Sequence, residues 1–202
     1  IRKMGFGIIN THKANGIHRG TGMLLTLNDF DNDSKRILSK KSTENYSFKK
    51  SITSNQNYPS SIMGSIALIR QFHHDANWYN GGNSSSSDLS IEALIENKNL
   101  PKIFDSGGDK LNTIRAIKLI KEIGGKFAVL GSGKEYENLE YIKTQDVTLI
   151  LPLSFPKASN VSDQLLTKQI PLSLMRYWSQ APSNPEKVSK FEIPFVFTSA
   201  NL

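Results

Sequence analysis

The chain has 202 residues, 38% of them apolar, enough for one sizeable core, and its 25 Lys and Arg against 18 Asp and Glu leave a net charge of +7. The densest basic stretches, Lys35-Arg36 with Lys40-Lys41 and then Lys49-Lys50, carry no interleaved aromatic motif, so a solvated surface is expected rather than a nucleic-acid interface. With no cysteine, disulfides and thiolate metal sites are excluded; no membrane span is expected either, because Pro152 interrupts the longest apolar run, 147–153.

Residues 6–12 and 22–27 are short, apolar and partly β-branched, and both are expected as strands. Between them, Asn15-Gly16 and Arg19-Gly20 mark a loop over 13–20. From 28 to 57 the composition turns polar, with isolated Ile37, Leu38, Tyr46, Phe48 and Ile52, which suggests a polar insertion with room for a small hairpin of its own. Pro59 then introduces 60–79, where Ile62, Ile66, Ile69 and His73 fall three or four apart and Leu68 and Phe72 widen the stripe. This spacing predicts an amphipathic helix capped by a serine. Residues 80–88 (Asn-Gly-Gly-Asn-Ser-Ser-Ser-Ser-Asp) have nothing to bury and are expected as a flexible loop, followed by a short helix over 89–97.

The second half alternates more regularly. Strands are expected at 102–105, 126–130, 147–151 and 194–198, with helices over 109–123, 135–144, 172–178 and 186–190. Strands separated by one helix each run parallel, so the fold class is α/β: a doubly wound sheet or a partial TIM-type (β/α) barrel of about six mostly parallel strands. Such a barrel closes with eight. The chain does not open with Met and stops directly after a strand, so residues 1–202 are expected to be a single, incomplete α/β domain cut at both ends.

Gly131-Ser132-Gly133-Lys134 follows a strand and precedes a helix, the place where backbone N–H groups can hold a phosphate. The full phosphate-loop pattern fails at Ala128 and Glu135, and the dinucleotide fingerprint fails at Tyr136, which leaves a tight turn as the plainer reading. Asp105 ends a strand at the face where α/β proteins place their sites, whereas Asp109 is accounted for as a helix cap. His12 and His18 flank the first loop, and His12 with Arg19 could contact a polar or anionic ligand. Adjacent His73 and His74 point about 100° apart on a helix and do not easily share one ion. No Gly-x-Ser-x-Gly elbow and no cysteine nucleophile is present.

Several stretches resemble a family: 2–9 (Arg-Lys-Met-Gly-Phe-Gly-Ile-Ile), 16–22 (Gly-Ile-His-Arg-Gly-Thr-Gly), 58–67 (Tyr-Pro-Ser-Ser-Ile-Met-Gly-Ser-Ile-Ala), 109–115 (Asp-Lys-Leu-Asn-Thr-Ile-Arg), 149–156 (Leu-Ile-Leu-Pro-Leu-Ser-Phe-Pro) and 178–185 (Trp-Ser-Gln-Ala-Pro-Ser-Asn-Pro). Together they look like exported bacterial amidohydrolase-related proteins akin to imidazolonepropionase. The resemblance implies a (β/α) barrel, C–N bond hydrolysis by metal-activated water in active relatives, with zinc as one such metal, and an exported, periplasmic or cell-surface location. It also implies imidazole ligands after the fifth and sixth strands and an aspartate after the last. At those places this chain has Asp105-Ser106, Gly131-Ser132 and Ala200-Asn201. The expectation is therefore a degenerate site holding no cofactor, with a binding or structural role. Ligand-binding candidates are His12, His18, Arg19, Asp105, Gly131, Ser132, Lys134 and Asn201. The alternatives are an active metal-dependent hydrolase whose ligands lie partly outside this stretch, or a module binding a polar small molecule. Expected partners are the rest of a parent chain or a second copy joined through open sheet edges.

Overall fold

The computed structural model describes residues 3, 5–29, 33–82 and 86–199. Asn201 lies outside them, as do residues 83–85 of the serine-rich loop. The chain packs as two compact units, Ile1–Asp105 with Lys118–Phe127, and Ser106–Ile117 with Ala128–Leu202.

In the first unit, strands β1 (Ile8–Thr11), β2 (His18–Thr26), β3 (Ile37–Ser47) and β4 (Lys102–Asp105) form a sheet in that order. β1 and β2 pair antiparallel, as do β2 and β3, while β3 and β4 run parallel with Glu44 opposite Lys102 and Tyr46 opposite Phe104. The expectation of mostly parallel pairing fails at β1-β2-β3 for a simple reason. The connections, 12–17 and 27–36, are too short for the crossover of about a dozen or more residues that a parallel pair needs. β3 lies inside the stretch expected as a polar insertion. Its last four residues, Glu44, Asn45, Tyr46 and Ser47, are all buried, so it is a central strand built largely of polar side chains.

Helix α1 (Ile62–Asn80) packs beside this sheet. Ser61 is its N-cap, accepting a hydrogen bond from the Gly64 N–H, as the serine-capped helix requires. Ser65, Ile66, Ile69 and Ala76 form its buried stripe, and the Ser65 hydroxyl donates to the Phe48 carbonyl at 2.9 Å. Phe104 stacks on Tyr46 at 6.1 Å and tilts against Phe48 at 4.7 Å, which makes an aromatic centre for this core. α2 (Leu89–Asn97) has Asp88 as its cap, and α3 (Lys110–Ile123) contributes its last turns to the same unit.

In the second unit, β5 (Phe127–Leu130), β6 (Thr148–Pro152) and β7 (Phe195–Thr198) are parallel and adjacent in that order. Val129, Leu149, Leu151, Ile142, Val147 and Val188 fill its core. Asp109 caps the start of α3 through the Asn112 N–H at 3.0 Å. The helix expected over 135–144 is a short 3-10 turn, Glu135–Glu137, followed by α4 (Leu139–Lys143). α5 (Gln164–Lys168), which sequence periodicity does not reveal, precedes α6 (Leu172–Gln180) and α7 (Asn184–Lys190). Among the described residues there are seven strands where about six were expected, the additional one being β3.

Candidate functional site

Side chains alternate along β3 and β4, so Glu44, Tyr46, Lys102 and Phe104 share the face under α1, and Asn45, Ser47, Ile103 and Asp105 share the other. On the α1 side, Glu44 is 1% exposed and Lys102 2%. The Glu44 carboxylate accepts from His18 Nε2 at 3.0 Å and faces Lys102 Nζ at 3.6 Å, while Lys102 also donates to the Lys98 carbonyl at 2.8 Å. Tyr46 Oη and His73 Nε2 share a hydrogen bond at 3.2 Å. Burial pushes the His73 imidazole down to about 4, so at neutral pH it is uncharged. Burial, reinforced by Glu44, holds the Tyr46 phenol well above its ordinary value. With the Glu44 and Lys102 charges buried against each other, this network serves the core.

The opposite face is where chemistry can be offered to a ligand. Arg19, on β2, reaches Asp105 at the end of β4, its Nη2 donating to Oδ2 at 2.9 Å. The arginine side chain is 8% exposed and the aspartate 25%. Arg19 Nε also donates to the Gly16 carbonyl at 3.3 Å, which ties the guanidinium to the β1–β2 loop. Further along this face the Asn45 amide donates to the Gly20 carbonyl at 3.2 Å and to Thr43 Oγ1 at 3.2 Å, and Asn10 donates to the same Thr43 oxygen at 3.0 Å. Gly22 leaves room for these side chains, since a Cβ there would meet Thr43 Oγ1 first and Asn10 Oδ1 at 2.6 Å.

Of the sequence candidates, the structure brings Arg19 and Asp105 together and sets His18 apart, on Glu44. His12 spends Nδ1 on the neighbouring Lys13 carbonyl at 2.9 Å. Glu44, Tyr46, His73 and Lys102 are absent from the sequence candidates. Their signal, a register pairing across β3 and β4, is invisible until β3 is recognised as a strand.

In the second unit, the Gly131–Lys134 turn already holds an anion of its own. The Ser132 N–H, the Ser132 hydroxyl and the Gly133 N–H all donate to Glu135 Oε1, the last two at 3.1 Å. Glu135 Oε2 accepts from Asn184 Nδ2 at 2.7 Å, and Asn184 Oδ1 accepts from the Tyr136 N–H at 2.9 Å. Lys134 Nζ sits 4.3 Å from the centre of the Tyr177 ring. The donors that a phosphate would use are therefore satisfied internally by a carboxylate that is 2% exposed.

Among the described residues, no group of three or more His, Cys, Asp or Glu is placed to hold a metal ion. At the described ends of β4 and β5, Asp105 is engaged by a guanidinium, and the turn after β5 begins with Gly131 and Ser132, whose neighbouring carboxylate is enclosed by N–H and O–H donors.

No family model matches the sequence, and no curated protein does. Among solved structures, the crystal structure of an amidohydrolase from Thermotoga maritima MSB8 matches with a TM-score of 0.71 and 14% identity, over 98% of this chain and 51% of that one. The chain spans about half the length of that protein. At this identity the likeness is one of backbone architecture, and the chain has an amidohydrolase-like α/β fold.

Proposed function

We propose that the chain is a domain related to C–N bond hydrolases, in the imidazolonepropionase-like branch of exported proteins, that has exchanged metal-dependent hydrolysis for the binding of a polar small molecule. The observation that carries this reading is the Arg19–Asp105 pair. A carboxylate at a strand end is where a hydrolase of this fold offers a ligand or a base, and here a largely buried guanidinium neutralises it at 2.9 Å. Asp105, with 25% of its side chain exposed, is the accessible end of this pair, and the largely buried Arg19 guanidinium and Asn45 amide lie on the same face. Such a surface suits a polar, zwitterionic or amide-bearing molecule rather than an apolar one.

Metal analysis of the purified chain after incubation with zinc tests the first half of this reading. The expected result is well under one equivalent retained after desalting; tight one-to-one binding that disappears in Asp105→Ala would overturn it. Calorimetry against a panel of polar amides and amino acids tests the second half, with binding expected to be lost in Arg19→Ala.

A further inference from the structure

A different part of the first unit holds a groove of about 420 Å³ between α1, α2 and the end of α3. Arg70, His73, Asn77 and Asn80 recur at three- and four-residue intervals and so line it from one face of α1. Its floor is apolar: Leu94 and Ala76 are buried, and Ile95 and Ile123 adjoin them. Its rim is basic and rich in donors, with exposed Lys98 and His74 beside the two asparagine amides. Glu122 is the one carboxylate in the lining, and both its oxygens are engaged by Arg70, at 2.6 Å from Nε and 2.8 Å from Nη2. Lys102, deeper in the wall, is balanced by Glu44. Lys98 has no carboxylate within ion-pair distance among the described residues, so its charge sets the sign of the rim.

We propose that this groove is a binding site for a small organic anion, a single carboxylate or phosphate carried on a compact apolar body. The volume falls within the range of small-molecule sites, and the division into apolar floor and cationic rim dictates how the ligand lies. The body covers Leu94, Ile95 and Ile123, and the head meets Lys98 and the amides of Asn77 and Asn80. The Arg70–Glu122 clasp fixes the α1–α3 wall, so little side-chain ordering is needed on binding. This site is separate from the Arg19–Asp105 face and does not depend on it.

Titration calorimetry of the full chain with hexanoate and with phenyl phosphate tests the proposal, using acetate, inorganic phosphate and hexanol as head-only and body-only controls. The expected result is saturable one-to-one binding of the two amphiphilic anions, with affinity at least about tenfold above each control. Lys98→Glu, a change at an exposed position, is expected to weaken binding about tenfold or more, and Lys157→Glu, the same charge change at an exposed position outside the groove, to leave it unchanged. Absence of saturable binding, equal binding of hexanol, or a Lys98→Glu variant that binds no more weakly than Lys157→Glu would each overturn it.

Discussion

Glu44 and Lys102 are register partners in the parallel β3–β4 ladder, and their charged groups meet at 3.6 Å with 1% and 2% of their side chains exposed. Desolvating two ions costs several kcal/mol each, and here the cost is offset by the pair's attraction, by His18 on the carboxylate and by the Lys98 carbonyl on the ammonium. Removing one partner leaves the other buried and uncompensated. Lys102→Met is expected to destabilise the chain by about 3 to 5 kcal/mol in urea unfolding. The double variant Glu44→Gln with Lys102→Met should recover much of that loss, because it removes both charges. A double variant no more stable than Lys102→Met would show that the ammonium acts through packing alone.

His73 gives the chain an acid sensitivity of definite sign. Its folded value is lowered from 6.5 to about 4, chiefly by burial, with the charges of His18, Lys102 and His74 adding to the effect and Glu44 opposing it. Between these two values the unfolded chain binds a proton that the folded chain refuses, so stability falls as pH drops from about 6.5 to about 4 and loses nothing further from this group below that. His73→Gln keeps a hydrogen-bonding partner for the Tyr46 hydroxyl, able to donate or accept, and removes the titration. The urea midpoint of that variant should vary less across this interval than that of the unaltered chain; an identical slope would assign the sensitivity elsewhere.

Local patterning reveals the elements whose burial is apolar and whose caps are short-range. The 62, 66, 69 stripe with Ser61, the Asp109 cap, and the strand expected over 147–151, where Val147, Leu149 and Leu151 are buried, are of this kind. β3 is hidden for the opposite reason. Glu44, Asn45 and Ser47 are residues that a sequence places outside, and only their partners His18, Lys102 and Gly20, supplied by other strands, make their burial tolerable. The candidate site divides in the same way. Arg19 and Asp105 are visible as strand-end residues, but their pairing depends on β2 and β4 flanking β3. Glu135 enters the sequence pattern only as the residue that breaks a phosphate-loop motif, whereas in the fold it supplies the anion that the turn binds.

Arg19 and Asp105 are unequally covered, which separates the consequences of removing each. Arg19→Leu fills the space with an apolar side chain but leaves the carboxylate without its guanidinium in a partly buried place, and is expected to cost about 2 to 3 kcal/mol. Asp105→Asn retains an acceptor for Arg19 at the more exposed end and should cost about half as much. Guanidinium would mask the ionic component, so urea denaturation is the appropriate measurement. Equal, small losses in both variants would mean that the pair is screened like a surface ion pair and does not order this face.

Glu135 and Gly131 make a coupled pair whose interaction can be isolated. Glu135→Ala strips the Ser132 and Gly133 N–H groups of their acceptor and is expected to cost about 3 kcal/mol, since the bonds lost are charge-assisted and enclosed. Gly131→Ala acts through the same carboxylate, because a Cβ there would stand 2.6 Å from Glu135 Oε1 and 3.0 Å from its Cδ. The backbone of Gly131 does not lie in the left-handed region, so alanine brings no torsional strain and the whole effect, about 1 to 3 kcal/mol, comes from displacing Glu135. In the Glu135→Ala background that obstacle is gone, and Gly131→Ala should then cost almost nothing. Thermal unfolding of the four proteins closes the cycle: strong non-additivity is expected, and additive losses would show that the turn is held by contacts other than this carboxylate.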